Sequence, residues 1–139
     1  FIYPFFGFLA AAVVLIPLGR WLWFMGKFET PANLTLWKIS TKFIRIFWGV
    51  ALVEEILFRS LIQNWMMQKF GASNFVLFCS AVIFGASHLN NGGWPNWRYF
   101  LIATVAGYIY GKVFQKSNSV MSSAALHAAV NTVRHTFFR

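Results

Sequence analysis

The sequence predicts an all-α fold, a polytopic transmembrane helical bundle of about five membrane helices plus a short interfacial helix. The 139 residues are 58% hydrophobic and 20% aromatic but only 11% charged. A water-soluble domain of this size would need more polar side chains to cover its surface. The apolar residues also fall into runs long enough to cross a bilayer, separated by short segments rich in basic and turn-forming residues.

The first element is an uncharged apolar run from Phe1 to Gly19 that ends at Arg20. Its length is about that of one membrane-spanning helix. No cationic segment precedes it and no small-residue cleavage site follows, so the run is not typical of a signal peptide. Because the sequence opens inside this run, it remains open whether further helices precede it. We interpret residues 1–139 as one intramembrane domain, with a motif core over about 46–138.

The next element is a turn leading into a short amphipathic helix over Thr30–Ile39, with basic and aromatic side chains on opposite faces, as expected in the headgroup region. Gly107 and Gly111 lie four residues apart in a later apolar run, which favours close helix packing. Turns are predicted over Asn90–Trp97 and Lys116–Ser119. Four further spans are predicted, over Ile46–Met67, Asn74–Leu89, Arg98–Phe114 and Val120–Phe138.

The net charge of +9 is best explained by membrane topology. The basic residues lie between the apolar runs and form no basic stripe, so we expect a lipid bilayer as partner and no nucleic acid. Five spans divide the basic residues unevenly, and the positive-inside rule makes the richer side cytoplasmic. That side carries Arg20, Lys27, Lys38, Lys42, Arg45, Arg98, Arg134 and Arg139, and the other carries Lys69, Lys112 and Lys116.

Two of the three acidic residues, Glu54 and Glu55, are adjacent in the middle of the second span. Charge at this depth is costly, so these groups should face the bundle interior or a wet cavity. A spacing of four places Glu55 and Arg59 on one helix face, whereas Glu54 points ~100° away. One carboxylate is therefore paired and one is free. The alternative is that all three groups only hold helices together, but a second, unpartnered carboxylate would be a cost in that role.

Two histidines and an asparagine on other spans extend this constellation. His88 follows Phe84 at a spacing of four, and His127 precedes Asn131 at the same spacing. A free carboxylate suits a general base, and bundle sites are built from facing helices. On the predicted topology these groups converge in the cytoplasmic half. We assign no chemistry to His135, which is expected at the membrane interface, or to Cys79, which is expected as a small buried apolar residue. Ser87, Ser122 and Ser123 are interpreted as ordinary helix-packing residues.

Glu54-Glu55-x-x-x-Arg59, Phe84-x-x-x-His88 and His127-x-x-x-Asn131 together resemble the motif set of the CPBP intramembrane proteases, the family of type II CAAX prenyl endopeptidases and bacteriocin-processing (ABI) proteins. The resemblance implies an intramembrane endopeptidase. The family has been described both as metal-dependent and as glutamate-based, and we favour the metal-free glutamic mechanism without a cofactor. It implies that Glu54 and His88 activate the attacking water and that His127 and Asn131 stabilise the oxyanion. Glu55 and Arg59 would be supporting residues that fix the helix and the first glutamate.

Two alternatives stay open. Glu54, His88 and His127 could hold a zinc ion with an open position, although they lack the compact spacing of zinc protease helices. The same groups could also serve a non-catalytic scaffold or proton relay. The expected partner of the protease is a membrane-associated protein or peptide. Prenylated CAAX proteins, leader peptides and C-terminal anchoring signals all remain possible substrates.

Overall fold

The computed structural model describes residues 2–138, which form five helices connected by turns and loops. Phe1 and Arg139, which enter the predictions above, lie outside the described residues. Helix α1 spans Ile2–Trp21, α2 covers residues 36–70, α3 spans Asn74–Ala86, α4 spans Trp97–Ser117 and α5 spans Val120–Phe137. The all-α class is confirmed for the described part of the chain. Its one β-type contact is an isolated bridge between Phe28 and Phe138.

Helix α2 is continuous but changes its winding along its length. Leu36–Ile46, Leu52–Glu55 and Asn64–Phe70 are α-helical, and the intervening stretches Phe47–Ala51 and Ile56–Gln63 are π-helical. π-helical turns are rare and occur frequently at functional sites. In α2 they flank the pair Glu54 and Glu55 on both sides.

Side-chain caps explain where four of the helices begin. Thr35, Ser73, Asn96 and Ser119 each accept a hydrogen bond from the backbone N–H three residues later. Such a cap satisfies one of the amide donors that a helix N-terminus leaves unpaired.

The separate interfacial helix over Thr30–Ile39 is not found. The helix begins at Leu36, after its Thr35 cap, and the amphipathic segment Leu36–Ile46 continues directly into the rest of α2. No proline or glycine interrupts residues 40–48, so nothing in that stretch ends the helix. The prediction separated the two because the segment's polar composition differs from that of the following apolar run.

Other boundaries also differ from the prediction by a few residues, and α2 continues to Phe70 rather than ending at Met67. Helix α3 ends at Ala86 rather than Leu89, so His88 lies in the turn that follows. Helix α4 ends at Ser117, and the capping residue that follows, Asn118, adopts a left-handed conformation with φ of 49°. Asparagine tolerates this conformation, which is a frequent way to end a helix.

Glycines let α3, α4 and neighbouring helices approach closely. A Cβ atom on Gly107 would lie 2.7 Å from the Phe84 ring, and one on Gly111 would meet Gln63 and Leu77. The predicted role of Gly107 and Gly111 in close packing is therefore confirmed. On the other side of α4, α1 packs in a core formed by Ala11, Leu15, Ala106, Tyr110, Val113 and Leu126.

The helices alternate in direction, and contacts define two ends of the bundle. At one end Phe24, which follows α1, contacts Tyr99 in the first turn of α4, and Lys42 bonds to the His135 carbonyl near the end of α5. At the other end Lys112 bonds to Asn74 at the start of α3. The first end carries most of the basic residues.

Beside its apolar core, the bundle buries several polar and charged side chains and exposes many large apolar ones. Glu55, Arg59, Gln63, Ser80 and Ser123 are completely buried. Large apolar side chains lie exposed along the helices, among them Phe5, Val13, Trp48, Val53, Leu57, Leu61, Trp65, Phe75 and Leu101. Judged by length and apolar content alone, only Ile2–Trp21 among the described helices could cross a membrane, and the apolar helix Asn74–Ala86 is shorter.

Candidate active site

The site is centred on Glu55, a completely buried carboxylate that joins α2 to α5. Its Oε2 accepts from Arg59 Nε at 2.8 Å and from the hydroxyl of Ser123. Its Oε1 lies 3.1 Å from His127 Nδ1. Three partners, one of them a cation, offset the cost of burying this charge. The predicted Glu55–Arg59 pair is therefore present.

Arg59 is fully buried and uses only part of its hydrogen-bonding capacity. Its two terminal nitrogens have no hydrogen-bond partner among the described residues. The guanidinium instead lies 4.8 Å from the centroid of the Phe84 ring, where the ring face attracts a cation. Glu55 therefore balances the positive charge of Arg59, and the face of the Phe84 ring stabilises it further.

Glu54 is the free carboxylate that the sequence predicts. Its side chain is 30% exposed, and its Oε2 lies 4.0 Å from His127 Nε2. That oxygen is buried and has no hydrogen-bond partner within residues 2–138. A buried acceptor without a partner is rare and calls for an explanation such as a bound water or a reacting group.

His127 lies between the two carboxylates and is 3% exposed. An ionised Glu55 can only accept hydrogen bonds, so His127 Nδ1 carries the hydrogen and donates it to Glu55. Nε2 is then the nitrogen that faces Glu54. The imidazole stacks on Tyr110, with ring centroids 4.8 Å apart and an interplanar angle of 20°. One hydrogen bond and one stacked ring fix its orientation.

The His88 side chain is held by a hydrogen bond to the backbone of the preceding turn. Its Nδ1 lies 2.9 Å from the Phe84 carbonyl, which can only accept, so Nδ1 donates and Nε2 is left as an acceptor. Ser87 also donates to the Phe84 carbonyl, at 2.7 Å. The His88 ring packs against Tyr99, with centroids 4.7 Å apart. No direct hydrogen bond or ion pair joins His88 to Glu54 in the described part of the chain.

The Phe84 ring lies between the polar groups and touches three of them. Its centroid is 4.9 Å from the His88 ring and 6.0 Å from the His127 ring, in edge-to-face arrangements. It also packs beneath Arg59. Phe84 therefore sets the separation of the two histidines.

A small cavity of about 40 Å³, room for about one water molecule, opens beside these groups. His88, His127 and Asn131 all line it, together with Tyr99, Tyr110 and Arg134. Asn131 is half-buried, and its side-chain amide has no hydrogen bond within residues 2–138. Glu54 does not line the cavity but lies on the Nε2 side of His127.

Three contributors to the site were not predicted. The sequence predicts a packing role for Ser123, yet its hydroxyl donates a hydrogen bond to Glu55. Tyr110 is not among the residues singled out from the sequence, and Arg134 is counted there only among the basic residues of the cytoplasmic side, although both line the cavity. Two helical spacings are sequence signals that could have found residues here, because Ser123 lies four residues before His127 and Arg134 lies seven residues after it. Glu55 is expected to fix Glu54, but its hydrogen bond is to His127, so the residue that it orients is the histidine.

The residues described do not form a metal centre as they stand. No group of three His, Cys, Asp or Glu side chains within residues 2–138 converges to hold an ion. Both Nδ1 atoms are engaged, with Glu55 and with the Phe84 carbonyl. The Nε2 atoms of the two histidines are left for an ion, and an Nδ1–H bonded to a carboxylate or carbonyl is common in metal-binding histidines. Glu54, His88 and His127 do not converge on one point as they stand, so we derive no step through a metal.

One protein-family model matches the chain, that of the type II CAAX prenyl endopeptidase Rce1-like proteins, over residues 36–133. The chain belongs to this family. The matched region contains all seven residues of the three motifs, from Glu54 to Asn131. No curated protein and no solved structure matches the chain significantly.

The Rce1-like match supports the resemblance drawn from the three motifs and makes the chain a CPBP-type protein. The family is one of membrane-embedded CAAX-type proteases, which identifies a membrane-associated protein as the general kind of substrate. The buried polar network described above is consistent with a membrane-embedded enzyme, because charged groups in such proteins face the bundle interior.

Proposed function

We propose that this protein is a metal-independent glutamic intramembrane endopeptidase, in which Glu54 and His88 activate water while His127 and Asn131 stabilise the oxyanion. The observation that carries the proposal is the position of Glu54. Its Oε2 is buried and unbonded, and it lies 4.0 Å from the Nε2 atom of a histidine held by a second carboxylate. A free carboxylate that can act as a base therefore lies next to the histidine proposed to stabilise the oxyanion, as the attack of water on a carbonyl group requires.

In the proposed reaction, a water molecule attacks the carbonyl carbon of the scissile peptide bond while Glu54 takes one of its protons. His88 would accept a hydrogen bond from the same water, since its Nε2 is left as an acceptor by the Phe84 contact. Collapse of the tetrahedral intermediate returns the proton from Glu54 to the leaving amine nitrogen. The products are a new carboxyl group and a new amine, so atoms and charge balance.

The oxyanion would be stabilised from α5. The side-chain amide of Asn131 makes no hydrogen bond within the described residues and can donate outright. His127 can donate from Nε2 in its protonated form, to which the two neighbouring carboxylates are electrostatically complementary. Preorganised donors of this kind are each worth ~3 kcal/mol of transition-state stabilisation. Glu55 supports this role by holding His127 through Nδ1.

We further propose that the chain is a multi-pass integral membrane protein with its site in the cytoplasmic half of the bilayer. Exposed apolar side chains surround a core that contains fully buried charges, which supports embedding of the whole bundle. The end of the bundle nearest Asn131 and Arg134 also carries most of the basic residues, and such residues concentrate on the cytoplasmic side.

The test is hydrolysis of membrane-tethered peptides by purified protein, with and without a metal chelator, alongside measurement of bound metal. We expect cleavage that survives chelation, no stoichiometric metal, and loss of at least ~1,000-fold in turnover for Glu54→Gln and His88→Ala. Glu29→Gln is the matched control, because Glu29 is the remaining acidic residue and is exposed outside the helices.

Three other outcomes would contradict parts of this proposal. Stoichiometric zinc with chelator-sensitive cleavage would make Glu54, His88 and His127 metal ligands. Normal turnover of Glu54→Gln would remove Glu54 as the base. Absence of Glu54-dependent cleavage of any peptide would favour a scaffold or proton relay.

A further inference from the structure

We infer that Arg134 binds the C-terminal carboxylate of the peptide substrate and so determines which peptides the site accepts. This inference rests on the proposed peptidase function. Arg134 lies in the last turn of α5, seven residues after His127 and three after Asn131. Seven residues are close to two full turns, so Arg134 and His127 share a helix face ~10 Å apart.

The guanidinium of Arg134 is held in place by two aromatic rings. It lies 4.3 Å from the centroid of Phe24 and 5.4 Å from that of Tyr99. These rings also contact each other, with centroids 4.8 Å apart. Stacking fixes the plane of a guanidinium but leaves its edge N–H donors available.

Arg134 has no anionic partner among residues 2–138. No ion pair or side-chain hydrogen bond involves it there, and Glu54 and Glu55 face His127. A half-buried cation held over rings has lost part of its hydration without gaining a counter-charge. It is therefore complementary to an anion supplied from outside the chain.

The position of Arg134 identifies what that anion belongs to. Arg134 lines the same cavity as His88, His127 and Asn131. The Tyr99 ring lies between Arg134 and His88, because it packs against both of them. A peptide whose scissile carbonyl lies at His127 and Asn131 could extend along α5 toward Arg134, and a separation of ~10 Å is about three residues of extended chain. The planar carboxylate at its terminus matches the fork of N–H donors on a guanidinium.

The test compares one prenylated Cys-aliphatic-aliphatic-Xaa peptide as the free acid and as the C-terminal amide. Wild-type protein should cleave the acid with a kcat/KM at least ~10-fold higher than that of the amide. Arg134→Gln should lower kcat/KM for the acid by ~10- to 100-fold and leave the amide nearly unchanged. Arg134→Lys should fall between, since it keeps the charge without the planar fork. Arg98→Gln, which removes an exposed charge at the same end of the bundle, should change neither substrate.

Binding of the same two peptides to the Glu54→Gln protein separates this inference from the proposed function. The acid should bind at least ~10-fold more tightly than the amide, and the added Arg134→Gln change should abolish the difference. Acid-selective binding without cleavage by wild type would contradict the peptidase proposal and support the carboxylate site. The inference is overturned if neither cleavage nor binding distinguishes the acid from the amide, or if neither peptide binds. It is also overturned if Arg134→Gln lowers kcat/KM equally for both peptides and Arg134→Lys is no more active than Arg134→Gln.

Discussion

Glu55 Oε1 lies 3.1 Å from His127 Nδ1, a contact between α2 and α5 that joins residues 72 positions apart in the chain. The other oxygen of the same carboxylate binds Arg59 on its own helix. Glu55 thus has two tasks, since it balances a buried cation and orients the histidine that faces Glu54.

Replacing Glu55 with Gln should destabilise the protein and also lower its activity. Arg59 would remain buried without a counter-charge, which costs ~3 to 5 kcal/mol. His127 would lose its anionic acceptor, so turnover should fall in the fraction that still folds. Thermal unfolding of the purified variant, with activity measured below the transition, tests both effects. A melt indistinguishable from that of wild type would remove the structural role.

Replacing Asn131 with Ala should lower kcat by ~100-fold or more while KM changes little, because the lost donor acts on charge that develops only in the transition state. Asn131 is half-buried and makes no side-chain hydrogen bond within residues 2–138, so stability should be nearly unchanged. Steady-state kinetics on the free-acid peptide provide the measurement. Full activity of the variant would rule out Asn131 as an oxyanion donor.

Replacing Ser123 with Ala should cost ~1 to 3 kcal/mol, because Glu55 Oε2 would lose a donor in a fully buried position. The matched control is Ser122→Ala, one residue away on α5, where the side-chain hydroxyl makes no hydrogen bond in the described residues. Chemical or thermal unfolding of the two variants in one detergent gives the comparison. Equal stability of both would show that the Ser123–Glu55 bond contributes nothing.

Replacing Gly107 with Ala should reduce activity through Phe84. The new Cβ would lie 2.7 Å from the Phe84 ring, which must shift, and that ring touches both His88 and His127. The control is Gly49→Ala in α2, where no atom lies within 4 Å of the new Cβ and where Ala should stabilise the helix by up to ~1 kcal/mol. We expect lower turnover and a lower melting temperature for Gly107→Ala only. An active, stable Gly107→Ala protein would show that Phe84 can move without affecting the histidines.

Much of the fold was predictable because it depends on short stretches of sequence. Apolar runs placed the five helices, and the boundaries differ by a few residues where a cap or an asparagine decides them. The largest error concerned the amphipathic segment before residue 46. Composition changes there, but the backbone continues as a helix because no residue in the stretch stops it.

By itself, the sequence determined the relationships that lie within one helical segment. The spacing of four paired Glu55 with Arg59 and left Glu54 free, since helical geometry fixes neighbours three and four residues apart. Tertiary structure alone decided that Glu55 reaches His127 and Ser123, that Tyr110 stacks on the histidine, and that Arg134 lies over Phe24 beside the cavity. These contacts depend on which helix faces which, and that is set by how closely glycines such as Gly107 allow the helices to pack, not by local spacing.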